Sequence, residues 1–195
     1  MERAKSSVNV KSLLMHSSIF LLSFSIASLI SYRYVFGLSS EKNLPVWSPK
    51  VGETLKPGRV KTLSGSELDL QSYHPKALLL VVFSTSCSAC SMALDQTWPK
   101  IVGSLDMAKI LPVFVTASDR ASKVEKFLAG KTLDVPIAIA EKGTEMHGLL
   151  SRVSLPCYLI IKDNVILGVW QGQPLTESGK QERLQAIAET VSQIK

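Results

Sequence analysis

The chain has 195 residues, of which 46% are hydrophobic and 19% charged, and its formal net charge is +6. This length fits one globular domain with an appendage. The basic residues are spread along the chain and form no block interleaved with aromatic residues, so the composition gives nucleic-acid binding little support. Three cysteines are too few for a disulfide framework and leave one over. A close pair plus a single cysteine indicates either a redox site or a chance pairing.

An apolar segment near the N-terminus predicts a membrane anchor. Between Lys11 and Arg33 the chain reads SLLMHSSIFLLSFSIASLISY, without a single Asp, Glu, Lys or Arg. A helix needs about 20 such residues to cross the hydrocarbon of a bilayer. We therefore predict a short cytoplasmic tail over residues 1–11 and a transmembrane helix over residues 12–36. Basic residues in the tail favour a cytoplasmic N-terminus, with the large domain on the outer side.

A cleaved signal peptide is the alternative for this segment. Ser25-Ile26-Ala27 has the small-x-small form of a cleavage site. The apolar run continues through Phe36, beyond the usual length of a signal sequence, and this favours an uncleaved anchor. We expect His16, which lies inside the span, to be a helix-surface residue without a functional role.

Residues 37–50 are polar, contain proline and lack a helical period, so they predict a linker. From residue 51 to residue 195 the pattern predicts one α/β domain with a mixed sheet. The expected strands are 60–63, 68–70, 77–83, 110–116, 135–140, 158–161 and 165–170, of which the first two and the last two form hairpins. The expected helices follow Cys87 and cover 118–128, 144–150 and the C-terminus.

Three details of these helices can be predicted from local chemistry. Pro99 should kink the helix that follows Cys87. Ser122 and Glu125 have the spacing of a capping box in the predicted helix 118–128, and Ser178 and Gln181 have the same spacing in the last helix.

The sequence Cys87-Ser88-Ala89-Cys90 lies where a buried strand gives way to a helix. The first cysteine therefore stands at a helix N-terminus, where unpaired N–H groups and the helix dipole favour a thiolate. The second lies one turn further in, within reach of a mixed disulfide formed by the first. We predict that Cys87 is the attacking thiolate and Cys90 the resolving thiol. A CxxC in this strand–helix context is much stronger evidence than the motif alone.

Other uses of the CxxC find less support. A zinc site needs four ligands, usually as two close pairs, and the chain has no second CxxC. Cys157 and either His74 or His147 could join the two CxxC cysteines as four zinc ligands, but the spacing of these residues does not favour a zinc site. Haem attachment requires His after the second cysteine, where Ser91 stands. An inert disulfide closing so small a loop would stabilise the fold little. We predict no metal and no cofactor.

A proline loop carries a resemblance to a known family. Ser154-Leu155-Pro156-Cys157 precedes the first strand of the last hairpin, some 65–70 residues after the CxxC. This arrangement resembles the thioredoxin superfamily. The added N-terminal hairpin resembles the membrane-anchored TlpA/ResA branch, and FSTSCSAC is similar to the MauD-like accessory proteins of methylamine dehydrogenase maturation. The resemblance covers residues 51–195.

The resemblance implies a thioredoxin-like fold, with a central mixed sheet flanked by helices and an added N-terminal β-hairpin. It implies that Cys87 is the nucleophile, Cys90 the resolver and Pro156 a cis-proline packed against the CxxC. Leu155 would offer its backbone to a bound partner. The implied protein is a single-pass thiol–disulfide oxidoreductase of the bacterial inner membrane, facing the periplasm. Its partners would be protein thiols or disulfides and a redox protein, in the maturation of an exported cytochrome or metalloprotein.

The sequence also departs from the family pattern. Val81 stands where thioredoxins carry a buried acid, and Ser86 replaces the usual aromatic residue before the first cysteine. Asp95 occupies the place of a helix-kinking proline, and Cys157 that of the common Thr. No Asp or Glu can be assigned from the sequence as a proton acceptor.

Two other functions remain open. A thiol peroxidase is suggested by Ser84-Thr85-Ser86-Cys87, although Leu80 stands where peroxiredoxins carry proline. A non-catalytic assembly or metallochaperone factor with the same fold is the second. For Cys157 we expect a structural role as a small buried apolar residue, because this is the usual behaviour of a free cysteine.

Overall fold

The computed structural model describes residues 45–117 and 119–194. The predicted tail, the membrane anchor at residues 12–36 with His16, and most of the predicted linker lie outside the described residues. Among the residues that are described, no helix is both long and apolar enough to cross a membrane.

Seven strands form one mixed sheet in the order β2-β1-β5-β4-β3-β6-β7. The central strands β3, β4 and β5 are parallel, and the hairpins β1–β2 and β6–β7 flank them in antiparallel pairing. The strands are β1 (Arg59–Thr62), β2 (Glu67–Asp69), β3 (Ala77–Phe83), β4 (Ile110–Thr116), β5 (Ile137–Ile139), β6 (Cys157–Lys162) and β7 (Val165–Gln171). Both predicted hairpins are confirmed.

In the described residues, one 3₁₀ helix and four α-helices lie between strands, and a fifth α-helix follows the last strand. They are α1 (Ser88–Gln96), α2 (Trp98–Ser104), α3 (Ala121–Leu128), α4 (Glu145–Leu150), α5 (Glu177–Ser192) and the 3₁₀ helix Leu70–Tyr73. Helix α1 follows directly from the loop that leaves β3, so the CxxC lies at the carboxyl end of the most deeply buried strand.

The centre of the sheet is buried on both faces. All seven residues of β3 are buried, as the continuous apolar sequence predicts. Alternate side chains point to opposite faces: Val82 packs in one apolar cluster with residues of α4, and Phe83 packs in the other with residues of α1, α2 and α5. Strand β6 divides its side chains in the same way.

Several predicted helix ends need correction. The helix after Cys87 does not merely kink: α1 ends at Gln96 and α2 begins at Trp98, with Pro99 in its first turn. Proline is tolerated there because the first N–H groups of a helix have no partner within it. The predicted capping boxes are also wrong. Helix α3 begins after Arg120 without a side-chain cap, and Thr176 caps α5 by accepting the Gly179 N–H at 3.1 Å.

Two loop features complete the described unit. Trp47, in the segment predicted as linker, donates its backbone N–H to the Arg152 carbonyl oxygen at 3.0 Å and packs against the apolar cluster that contains Val82. The His74–Pro75 peptide bond is cis, which the sequence analysis did not anticipate.

Candidate active site

Cys87 is the N-terminal capping residue of α1. Its backbone is extended, with φ −88° and ψ 113°, and its Sγ accepts the backbone N–H of Cys90 at 3.2 Å. The first N–H groups of a helix lack partners within the helix, so one of them is satisfied here by the sulfur. The side chain is half-buried. Cys87 is therefore accessible from outside and lies in the positive end of the helix dipole.

Cys90 lies one turn further along α1 and is fully buried. Burial, followed by the hydrogen bond with the Cys87 side chain, raises the pKa of the Cys90 thiol well above its ordinary value. The backbone of Ser84 acts in the opposite direction and lowers this pKa. All three cysteines of the chain are thiols in this structure.

Asp119 is a site residue that the sequence analysis missed. Its carboxylate accepts the backbone N–H of Thr85 at 2.8 Å, the Thr85 hydroxyl at 2.7 Å and the Thr116 hydroxyl at 2.9 Å. Burial alone would raise the pKa of this carboxyl, but the hydrogen bonds from Thr85 and Thr116 outweigh burial and lower the pKa. Asp119 is consequently a buried anion beside the loop that leads into Cys87.

A topological signal could have pointed to this acid. Asp119 follows Thr116, the last residue of β4, and β4 is the parallel neighbour of β3. The carboxyl ends of neighbouring parallel strands meet at one edge of a sheet, where sites are usually built. Val81, which stands at the place of the buried acid in thioredoxins, lies inside β3 and does not point to Asp119.

Pro156 directly precedes β6, the antiparallel neighbour of β3, and lies at the same edge of the sheet. The Leu155–Pro156 peptide bond is cis, as the resemblance implied. The next residue, Cys157, pairs with Val82 near the end of β3, so the proline loop lies beside the segment that carries the CxxC. The backbone N–H of Gly172 donates to the Pro156 carbonyl oxygen at 2.8 Å. Leu155 is half-buried and packs against both apolar clusters; its role toward a partner stays a prediction.

The third cysteine lies on the opposite face of the sheet from Cys90. Cys157 is fully buried and packs in the cluster of Val82 and Leu159, whereas Cys90 packs in the cluster of Tyr158. Burial raises the pKa of the Cys157 thiol to about 12. This burial agrees with the structural role expected for Cys157.

A second feature missed from the sequence is a buried polar chain beside Cys90. Trp98 Nε1 donates to the Tyr158 hydroxyl at 3.0 Å, and this hydroxyl donates to Gln173 Oε1 at 3.4 Å. Gln173 Nε2 in turn donates to Thr97 Oγ1 at 2.6 Å, at the junction of α1 and α2. The Arg183 guanidinium stands 5.4 Å from the Tyr158 ring centroid. The loop after β7 is thereby tied to the end of the CxxC helix.

The described residues offer no cluster for a metal ion: nowhere in 45–117 and 119–194 do three His, Cys, Asp or Glu side chains stand close enough to hold one. His74, weighed above as a possible ligand with Cys157, instead places its Nε2 2.9 Å from Asp163 Oδ1.

No family model and no curated protein sequence matches the chain. Solved structures do match it. A candidate thiol:disulfide interchange protein DsbE from Chlorobium tepidum is 18% identical, with a TM-score of 0.57 over 74% of this chain and 99% of that one. The thioredoxin domain of a thiol-disulfide oxidoreductase from Bacteroides vulgatus is 14% identical, with a TM-score of 0.56 over 72% and 99%.

A third similar structure is BsSco, a member of the Sco family of cytochrome c oxidase assembly proteins in which a disulfide switch was identified. It is 12% identical, with a TM-score of 0.54 over 75% of this chain and 98% of that one. Likeness at these identities is likeness of fold. The chain has a thioredoxin-like α/β fold with a mixed central sheet.

Proposed function

We propose that this chain is a thiol–disulfide oxidoreductase that exchanges disulfides with protein substrates through Cys87 and Cys90. One observation carries the proposal: an accessible sulfur caps α1, and a fully buried thiol lies one turn behind it on the same helix. The cis-proline loop at the same sheet edge and the thioredoxin-like fold support it.

In this mechanism the Cys87 thiolate attacks one sulfur of a substrate disulfide. The sulfur–sulfur bond of the substrate breaks, a Cys87–substrate disulfide forms, and the released substrate thiolate takes a proton from water. Cys90 then gives its proton to water and attacks the Cys87 sulfur. The second substrate thiolate leaves and is protonated. The substrate has gained two electrons, and the protein has lost two as the Cys87–Cys90 disulfide.

A dithiol redox protein would return the site to its reduced state by the same steps in reverse. The proline loop would hold the partner during exchange, with the backbone of Leu155 pairing with an extended segment next to the partner's cysteine. Leu155 is half-buried, so part of this residue is open to solvent.

The finer assignment is a membrane-anchored, TlpA/ResA-like or MauD-like protein of the bacterial inner membrane. Its domain would face the periplasm and act in the maturation of an exported cytochrome or metalloprotein. The uncharged segment after Lys11 supports the anchor. We expect the protein to stay in the membrane after carbonate washing, with the domain open to protease from the outer side. Release of a soluble fragment starting near Ser28 would establish a cleaved signal peptide instead.

Trapping of mixed disulfides tests the assigned roles. Cys90→Ser should accumulate disulfide-linked complexes with its partners, because the intermediate has no internal thiol to release it. Cys87→Ser should trap almost none. Cys157→Ser, which removes a buried thiol from the other face of the sheet, is the matched control and should behave as the wild type. Equal trapping by Cys87→Ser and Cys90→Ser would overturn the division of roles.

Activity assays separate the proposal from the two other functions. Reduction of insulin by the thiol-reduced protein supports disulfide exchange. Turnover of hydrogen peroxide without insulin reduction would identify a thiol peroxidase. Full support of partner assembly by the Cys87→Ser Cys90→Ser double variant would identify a non-catalytic assembly factor.

A further inference from the structure

One peptide group at the end of β7 connects helix α5 to the proline loop. The peptide that joins Gln171 to Gly172 donates its N–H to the Pro156 carbonyl oxygen at 2.8 Å. Its carbonyl oxygen, on Gln171, accepts a hydrogen bond from Arg183 Nη2 at 3.3 Å. In a trans peptide the N–H and the C=O point in opposite directions. This peptide therefore lies between the Arg183 side chain on one side and the proline loop on the other.

The Arg183 guanidinium binds two successive carbonyl groups at this point. Nη1 donates to the Gly172 carbonyl oxygen, and Nη2 donates to that of Gln171. A guanidinium is a rigid planar fork of donors, so the two carbonyl groups are fixed in direction as well as in distance. Gly172 permits this arrangement because its φ is +69°, in the left-handed region that glycine adopts without strain. Arg183 thus fixes the backbone of the turn that follows β7.

The packing of α5 places Arg183 at this turn. Residues four apart on a helix lie on the same face, and Ile187 buries this face of α5 in the apolar cluster that contains Tyr158. The Arg183 guanidinium lies 5.4 Å from the centroid of the Tyr158 ring. The side chain is half-buried. It needs the two carbonyl acceptors, because removing a charge from water is costly unless the charge is hydrogen-bonded.

We propose that Arg183 is a positioning residue that holds the proline loop in place for a protein partner. Through the peptide at the end of β7 it fixes the Pro156 carbonyl oxygen, one residue away from the Leu155 backbone that would pair with the partner. This inference rests on the proposed exchange function and assigns a part in partner binding to the last helix. The hydrogen bonds of Arg183 lead to the loop and not to Cys87. Its loss should therefore slow the reaction with protein disulfides and spare the reaction with a small disulfide.

A second contact of the same turn does not replace Arg183. Gln173 Nε2 donates to Thr97 Oγ1 at 2.6 Å. This hydrogen bond holds the Gln173 side chain at the junction of α1 and α2, and it does not involve the peptide that binds the proline loop. A variant without the guanidinium should keep the turn attached to α1 while the Gly172 N–H becomes less well fixed.

Two disulfides of different size test the proposal with the thiol-reduced full chain. Arg183→Met keeps a long side chain and removes the guanidinium. We expect its rate constant for insulin reduction to fall roughly tenfold, the effect of one hydrogen bond to a charged group. The rate constant with dithiobis(nitrobenzoate), a disulfide too small to pair with the loop, should stay within about twofold of the wild type. Arg183→Lys can reach one carbonyl oxygen, so its insulin rate should lie between the two.

Lys180→Met is the matched control. It removes another cation of α5, whose Nζ donates to Gln96 Oε1 and to Glu177 Oε1, each at 2.6 Å. Both of its rate constants should equal those of the wild type. Equal losses with the two disulfides in Arg183→Met would overturn the role of Arg183 in partner binding. The same loss with insulin in Lys180→Met would overturn it as well.

Amide hydrogen exchange at Gly172 measures the positioning without any catalytic activity. In Arg183→Met the Gly172 N–H should exchange roughly tenfold faster, whereas the N–H of Val82 in β3 should keep its rate. Arg183→Lys, with a smaller increase, serves in this measurement if Arg183→Met does not fold. An unchanged rate at Gly172 would overturn the inference. Failure of the wild type to reduce insulin, with Gly172 responding as expected, would count against the proposed function alone.

Discussion

Cys90 and Cys157 are both fully buried and lie near the same edge of the sheet, yet on its two opposite faces. Cys90 contacts the Cys87 side chain, because its backbone N–H donates to the Cys87 Sγ at 3.2 Å, and this side chain contributes, after burial, to the raised pKa of Cys90. Cys157 lies among aliphatic side chains, and Arg183 is the charged group that acts on it. Burial raises the pKa of both thiols. The two buried thiols therefore differ in their polar neighbours, and the exchange role that we propose for Cys90 rests on that difference.

The strongest test of this contrast replaces each cysteine in turn. Cys90→Ala should reduce insulin turnover to the uncatalysed level, because Cys87 then forms mixed disulfides that nothing resolves. Cys157→Ala should keep turnover within about threefold of the wild type, because a buried thiol among apolar groups is inert. Cys157→Thr is a control for the side-chain volume. A loss of about tenfold or more in both Cys157 variants would place Cys157 in the mechanism.

A substitution at Asp119 removes the acceptor that holds Thr85 in the loop before Cys87. Asp119→Ala leaves the partly buried N–H of Thr85 without its acceptor, and we expect the free energy of unfolding at pH 7 to fall by about 2 kcal/mol. The pKa of Asp119 is lowered in the folded protein. Its contribution is therefore fully present above about pH 4 and is lost as the pH falls through the folded pKa.

Denaturant titrations from pH 7 to pH 3 measure this difference. The gap between the wild type and Asp119→Ala should narrow below about pH 4. Asp134→Ala removes an exposed carboxylate and should change stability by less than about 0.5 kcal/mol throughout. A gap that stays constant with pH would show that the side chain stabilises the loop by packing and not by its charge.

The two faces also differ in how far the sequence predicts them. Strand β3 was predicted at its observed bounds because its seven residues are continuously apolar and all are buried. The start of α1 at the CxxC follows from the same pattern. Asp119 was missed because its partner Thr85 lies 34 residues away in the chain, and only the parallel pairing of β3 and β4 brings them together. Local sequence patterns indicate burial and the period of a helix or strand. A buried charged side chain depends on partners that lie far away in the chain, and local patterns do not contain them.

The errors at helix ends have a related cause. Apolar residues continue on both sides of Thr97, so the period alone does not show where α1 ends and α2 begins. Two hydroxyl residues, Thr176 and Ser178, stand close to the start of α5, and either could cap it by local spacing. The loop before that helix is bound to Thr97 through Gln173, a contact between residues that lie far apart in the chain.

The smallest expected effect concerns Cys157 and the stability of the folded protein. Burial raises the pKa of Cys157 from 9.0 to about 12. Between these values the unfolded chain releases the thiol proton while the folded protein retains it, so the stability that Cys157 contributes is present below about pH 9 and lost as the pH rises. At pH 7 we expect Cys157→Ala to be less stable than the wild type by about 1 kcal/mol, from the lost packing. At pH 10 this gap should close or reverse, because one pH unit corresponds to about 1.4 kcal/mol at most.

Both stability measurements are made with reductant present. Cys90 and Tyr158 are common to the two proteins, so their own titrations cancel in the difference.

Alkylation is a second measurement of the burial of the Cys157 thiol. Cys157 should react with iodoacetamide only after unfolding, because the thiol is fully buried in the folded protein. Rapid alkylation of Cys157 in the native protein, or a gap that does not change between pH 7 and pH 10, would mean that this face of the sheet opens to solvent. The difference between Cys90 and Cys157 would then be a difference in how far solvent reaches each thiol, and not in the polar groups around them.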